Sequence, residues 1–332
     1  MEINIYKVVP NNNLAGDAHL ELVALMPFKS VVWEEQYSTC GTMQAVFFRD
    51  DDTLDIIKVG RLATFTPSQI LMYIHGVKIT DTEVWAYGYE AKALFEKKAF
   101  FNTISATSTD IVQYLTAQIN SYKLNWMDSL VAASMGSENL TAIESNNWLA
   151  FIKSCCALNN HGFYLALNPS TQTGRLTIKK PASNVAILAS QLGNVRDIAY
   201  TLTDKPYYNT VAIFGLTTDG IIAPAIVRDS GLTVNDEIYS TLLDLRLDYP
   251  QPKGMSYDDY DAAIQTRGRI SLGLRKAKET IDVGAIEQDC DWGDLVTVVI
   301  PELNVSAAKR IVSTTYKCEG GILTKSYKLG EV

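Results

Sequence analysis

Short runs that alternate apolar and polar side chains dominate the start of the chain. EINIYKVV, HLELVALM, KSVVWEEQY, MQAVFFRD, LDIIKV and ILMYIHGVKIT carry the two-residue period of strands. NNN, the Cys40-Gly41 corner and the acidic stretch RDDDT separate them, and Asp and Asn there can bond their own backbone in turns. Residues 1–82 are therefore expected to form a small antiparallel barrel-like unit. From Glu83 the pattern changes. VWAYGYEA still alternates, but AKALFEKKAF has helix-forming composition, with Leu94 and Phe95 facing inward and Lys97 and Lys98 closing the helix.

Ser105 to Thr109 supply capping candidates, with Asp110 in the first turn, for a helix that sets Ile111, Leu115, Gln118 and Tyr122 on one side. NNWLAFIKSCCALNNHG repeats the design and stops near Gly162. Residues 123–145 lack clear periodicity and read as loop or short strands. GFYLALNPSTQTGRLTIKKP reads as a hairpin turning at Asn168–Gly174. Residues 83–195 are thus an α+β domain.

In residues 196–332, DIAYTLTDKPYYNTVAIFG predicts two strands and IIAPAIVRD a third, followed by a polar stretch from Asp229 to Gly254. A helix is expected from Tyr257 to roughly Ile281. Ser256 can cap it, Asp258, Asp259 and Asp261 suit its N-terminal dipole, and Arg275, Lys276 and Lys278 suit its C-terminal end. Gly268 and Gly273 inside it point to close approach by another backbone. LVTVVIPE, AKRIVSTTYKCE and LTKSYKLGE supply the closing strands, with turns at Leu303-Asn304 and Gly320-Gly321. The region reads as a second barrel-like domain, built from about 196–228 and 283–332, with an insertion at about 229–282 containing the long helix. The fold class is α+β, multi-domain and β-rich.

Composition narrows the function. At 332 residues and 47% apolar content the chain can bury several cores, and 37 acidic against 29 basic residues give a net charge of −8. No basic stripe is present to neutralise phosphates, so nucleic acid is not an expected partner. No run approaches the length of a bilayer span and the N-terminus lacks signal-peptide layout, so the chain reads as soluble and synthesised in a cytoplasm. Cys40, Cys155, Cys156, Cys290 and Cys318 have no CxxC spacing and read as buried free thiols.

Candidate chemistry is sparse. Asp289, Asp291 and Asp294 crowd Gly293 in CDWGDLVTVVIPELN, but the spacing is not that of a calcium loop, and no glutamate stands at the twelfth position. The stretch reads as a polar corner from which Leu295–Ile300 enters a sheet that Pro301 ends. Asp50, Asp51 and Asp52 read as a solvated turn. His19, His75 and His161 are isolated, with no paired spacing for a metal, and His161 sits where a helix ends. No G-x-S-x-G elbow and no phosphate-binding glycine loop occur. Trp33, Trp85, Trp126, Trp148 and Trp292 fall mostly within predicted elements, where core packing is the default. No catalytic, cofactor or metal residue is assigned, and no enzymatic activity is expected.

Several segments in order resemble one family, the baseplate-hub proteins of long-tailed phages of Gram-positive bacteria, the structural part of tail-associated lysins. SVVWEEQYSTCGTMQAVFF is similar to the family's opening, LDIIKVGRLATF to its Lys-x-Gly turn, and VWAYGYEAKALFEKKAF to its strand running into a helix. TRGRISLGLRKAKETIDV, DCDWGDLVTVVIPELNVSAAKRIVSTTYKCEGG and the terminal YKLGE resemble its Arg-Gly helix, its Gly-Asp-x-Val-x-Val strand and its closing strands. The resemblance implies a homotrimeric ring at the virion tail tip, with two barrel-like domains per subunit matching a trimeric tip to the hexameric tail tube or distal tail protein. Tape-measure protein and tail-tip or receptor-binding proteins are implied partners, with DNA only passing through the channel, for which an acidic chain is suited, and with no membrane insertion and no cofactor. Many relatives continue into a peptidoglycan-degrading or receptor-related extension. This chain stops at YKLGEV, so any lytic activity in the particle is expected to sit on another chain. The competing classes are a carbohydrate- or receptor-binding module and, further off, a peptidoglycan hydrolase.

Overall fold

The computed structural model describes residues 1–11, 17–68, 70–100, 109–138, 143, 145–183, 185–203, 208, 210–216, 222–228, 244–273, 278–284, 290–301 and 305–330. Asp289, Ser105, Arg275, Lys276, Leu303 and Asn304, all named above, lie outside these.

The N-terminal alternation becomes seven antiparallel strands: β1 (Glu2–Pro10), β2 (Ala18–Pro27), β3 (Ser30–Gln36), β4 (Thr42–Phe48), β5 (Leu62–Phe65), β6 (Met72–Ile79) and β7 (Glu83–Glu90). Their order across the sheet is β3-β4-β7-β6-β5-β1-β2. Period two in β3 turns Val31, Trp33 and Glu35 inward while Val32 stays exposed. Trp33 joins Ile3, Phe47, Phe65 and Val84 in one core.

LDIIKV is not a strand. Asp51–Ile56 forms the short helix α1, because the Asp50 carboxylate accepts the Thr53 N–H at 2.6 Å and Asp51 and Asp52 occupy the first turn, where the helix dipole favours them. RDDDT is thus a helix start, and the strand expected at LDIIKV falls later, at β5. After β7, Ala91–Lys97 winds as a 3-10 turn instead of an α-helix, with Phe95 fully buried.

The central region contains β8 (Thr109–Asp110), α2 (Ile111–Tyr122), β9 (Met127–Ala132), β10 (Ser137–Glu138), α3 (Trp148–Leu158), β11 (Gly162–Asn168) and β12 (Thr173–Lys179). Asp110 itself caps α2, accepting from Gln113 N, and Asn147 caps α3, accepting from Ala150 N. Ile111, Leu115, Ile119 and Tyr122 pack against Trp148, Phe151 and Ile152. β11 and β12 form the expected hairpin, and β9 adds to β12 in parallel. Of the two alternatives for 123–145, loop or short strands, the structure has short strands, and the partner of 127–132 is set by a parallel pairing far along the chain that leaves no local pattern.

The C-terminal region holds β13 (Ile187–Ala189), β14 (Arg196–Thr203), β15 (Thr210–Leu216), β16 (Ile222–Arg228), β17 (Asp244–Asp248), α4 (Tyr257–Gly273), β18 (Lys278–Gly284), β19 (Leu295–Ile300), β20 (Val305–Glu319) and β21 (Ile322–Gly330). The helix expected as far as Ile281 ends at Gly273, and Lys278 lies in a strand: KETIDVG alternates and pairs with both β14 and β21. β15 lies between β16, antiparallel, and β17, parallel, in a separate three-stranded sheet covered by α4, and not with the C-terminal strands.

Neither set of strands closes into a barrel among the described residues. β20 is 15 residues long; its first part pairs with β19, whereas Ser313–Glu319 pairs with β3 from Gln36 back to Ser30. The C-terminal strands therefore continue the N-terminal sheet, giving one 13-stranded sheet that ends at β14 and β2. The result is a multi-domain, β-rich α+β chain in which the two ends of the sequence share a sheet.

Gly268 of α4 meets β16: a Cβ there would lie 2.5 Å from Val227 Cγ2. Alanine is the better helix former by about 1 kcal/mol, yet Gly268→Ala is expected to lower stability by about 1–3 kcal/mol through overpacking. Urea unfolding of G268A and of G268A/V227A checks this, because trimming Val227 should return most of the loss.

Candidate functional site

The acidic corner resolves into hydrogen bonds. Gly293 has φ of +88°, a conformation open to glycine, and its N–H donates to Ile311 O. Asp294, almost fully buried, accepts from Ala182 N through Oδ1 and from Asp291 N through Oδ2. Lys179 Nζ pairs with Asp291 Oδ2 at 2.7 Å, and the buried Arg310 donates to Gly293 O at 3.1 Å while lying over the Tyr37 ring. Asp294 thus ties the 180–182 linker to the start of β19, and its oxygens already have donors.

Beside this corner lies a cavity of about 550 Å³. Glu35 from β3, Ser68 from the loop after β5, Tyr164 from β11, Trp292 from the corner, Tyr316 from β20 and Lys325 from β21 all contribute to its wall. The cavity therefore sits between two of the hydrophobic cores, the one that holds Tyr316 and the one that holds Trp292. Trp292 meets Tyr164 edge-on, and Lys179 lies over its ring. Lys325 Nζ donates to Cys290 O at 2.9 Å and packs over Tyr316 and Tyr327. Glu35 is only 3% exposed, and its Oε1 has no hydrogen-bond partner among the described residues. Burial pushes its carboxyl up to about 7; nearby Glu90 and Asp291 add to the rise, while the Ser68 hydroxyl and Lys325 oppose it.

A second buried group stands behind the first. Lys92, at the start of the 3-10 turn, and Glu90, at the end of β7, form an ion pair at 2.5 Å with both side chains essentially inaccessible. Lys92 Nζ also donates to Gln36 O and Phe163 O, so it ties β3 to β11, and Glu90 Oε1 accepts from Gln36 N at 2.7 Å. Burial holds the Glu90 carboxyl above its ordinary range, with Lys92 pulling it down.

The residues singled out by sequence are scattered. His19 is hydrogen-bonded to Asn11, His75 stacks on Tyr89, and His161 is buried at the end of α3 with Nδ1 against Asn159 O. The cysteines are free thiols, Cys40 half-buried and the rest buried. Trp33, Trp126, Trp148 and Trp292 are buried, and Trp85 is half-buried on the outer face of β7. Among the described residues no three His, Cys, Asp or Glu side chains converge as a metal would require, and no helix is long and apolar enough to cross a membrane. Sequence reading passed over Glu35, Glu90 and Lys92. A signal for Glu35 existed, since a strand that turns Val31 and Trp33 inward turns Glu35 inward too.

Comparison with solved structures defines the fold class. The chain has the fold of a tail protein from Neisseria meningitidis MC58, with a TM-score of 0.62 and 11% identity over 99% of this chain and 96% of that one. It is also similar to the prophage tail protein gp18 from Listeria monocytogenes EGD-e, at TM-score 0.59 and 12% identity, covering 100% of this chain and 95% of that one. The 43 kDa tail protein of prophage MuSo2 from Shewanella oneidensis matches at TM-score 0.60 and 11% identity, covering 100% and 98%. No family profile matches the chain, and no curated protein matches by sequence.

Proposed function

We propose that this chain is a structural hub protein of a phage tail or phage-tail-like particle, sited at the virion tail tip. The observation that carries the reading is end-to-end likeness: tail proteins share the whole fold, with almost nothing left over on either side. The resemblance of ordered segments to the Gram-positive baseplate-hub family points the same way and supplies the finer picture. Three copies form a ring that adapts the hexameric tail tube or distal tail protein to a trimeric tip, leaving a channel for tape-measure protein and DNA. Closed rings of heterologous contacts are a common solution for homo-oligomers. The role is geometric and needs no covalent chemistry. Residues 1–82 and 196–332 serve as the two ring-forming units and 83–195 as the α+β unit between them.

Native mass spectrometry of the isolated chain, alone and with the adjoining tail protein, tests the reading. A trimer in either condition is expected; a monomer in both would overturn it. Zymograms on host cell wall should stay uncleared, and clearing would instead favour a hydrolase.

A further inference from the structure

We propose that the cavity bounded by Glu35, Trp292 and Lys325 is a binding site for a protonated alkyl nitrogen, an ammonium or guanidinium carried by a small molecule or by a lysine or arginine side chain. Its volume of about 550 Å³ lies within the range of small-ligand sites, and such sites form preferentially where domains meet. The cavity wall carries a carboxylate that is 3% exposed and whose Oε1 has no donor among the described residues. An uncompensated buried acceptor is costly, and a ligand N–H is the group that removes the cost.

Ionised Glu35 is itself the charge that favours a cation. Of the charged groups around it, Glu90 from the end of β7 is paired with Lys92, Asp291 comes from the corner and Lys325 from β21 is the opposing charge, with Ser68 and Tyr316 as the neutral polar neighbours. Lys325 is directed to Cys290 O, and Lys179 is paired with Asp291. The aromatic walls suit the same chemistry, since the faces of Trp292 and Tyr316 already hold lysine ammonium groups at 5.5 Å. A carboxylate ligand would meet Glu35 and Asp291 and be repelled. Binding requires the ionised form of Glu35, whose carboxyl titrates at about 7. Affinity for a cation therefore rises about tenfold between about pH 6 and about pH 8, and proton release accompanies binding on the acid side.

The test is a calorimetric and NMR titration of the full chain with n-butylammonium, with a capped lysine-containing peptide, and with acetate. Butylammonium is expected to bind, more tightly at the higher pH, with shifts at Tyr164, Trp292 and Tyr316; acetate is not. Binding of the peptide as well assigns the site to a partner's side chain, whereas butylammonium alone assigns it to a free amine. Glu35→Gln, confirmed as folded by near-ultraviolet circular dichroism, should weaken binding at the higher pH about tenfold or more and remove its pH dependence. Lys325→Met should tighten it by removing the competing cation. Failure of both amines to bind, undiminished binding to E35Q, or preference for acetate overturns the proposal.

Discussion

Replacing Lys92 with methionine is expected to lower the stability of the chain by about 3–5 kcal/mol, the usual cost of stripping one partner from a buried ion pair. Glu90 and Lys92 are 0% and 1% exposed, so water cannot take the place of the missing charge. The ammonium also joins β3 to β11 through Gln36 O and Phe163 O, and K92M leaves both carbonyls without that donor. The stability measurement is urea unfolding followed by tryptophan fluorescence, since Trp33 and Trp292 lie in two different cores. Adding Glu90→Leu should recover most of the loss, because replacing both members of a buried pair with apolar groups is often neutral. A single K92M variant as stable as the parent would mean that the pair contributes nothing to the joint.

Glu35 sets the second large effect, with a defined sign. Its folded-state carboxyl is raised from 4.5 to about 7, so the folded chain holds a proton that the unfolded chain has released. The stabilising influence of that proton is present below about pH 4.5 and is lost as pH rises through about 7. The contribution is on the order of 3 kcal/mol. Glu35→Gln, which mimics the neutral form at every pH, should therefore stabilise the chain above neutrality and flatten the fall between weakly acidic and alkaline conditions. Thermal unfolding across that interval reads both effects; parallel curves for E35Q and the parent would show that Glu35 does not titrate there.

These two predictions lie in residues that look ordinary in sequence. Lys92 in AKALFEKK resembles a solvated basic residue, and only the arrival of β3 and β11 beside it makes it a buried tie. Glu35 was half legible: the period-two inward set Val31, Trp33 and Glu35 implies burial, but the cavity beside it is made by Trp292 and Lys325, more than 250 positions away in sequence. The acidic corner was read correctly as a strand start because its logic is local, a left-handed glycine followed by alternating Val and Thr residues. LDIIKV misled because a side-chain cap on its N-terminal side competes with alternation, and at six residues a cap can decide the outcome.

By itself, then, the sequence determined the local alphabet: period-two strands, the helices α2 and α3, the β11–β12 hairpin, the glycine-centred corner, and a chain rich in strand-formers without a motif for catalysis. It could do so because those features depend on neighbours within a few residues. Only the tertiary structure decided that 127–132 pairs in parallel with β12, that β15 and β16 leave the C-terminal strands for a sheet of their own, and that β20 crosses from β19 to β3 and joins both ends of the chain. Those pairings are between residues far apart in sequence. Their stabilisation comes from buried surface and shared backbone hydrogen bonds that exist only once the chain has closed on itself.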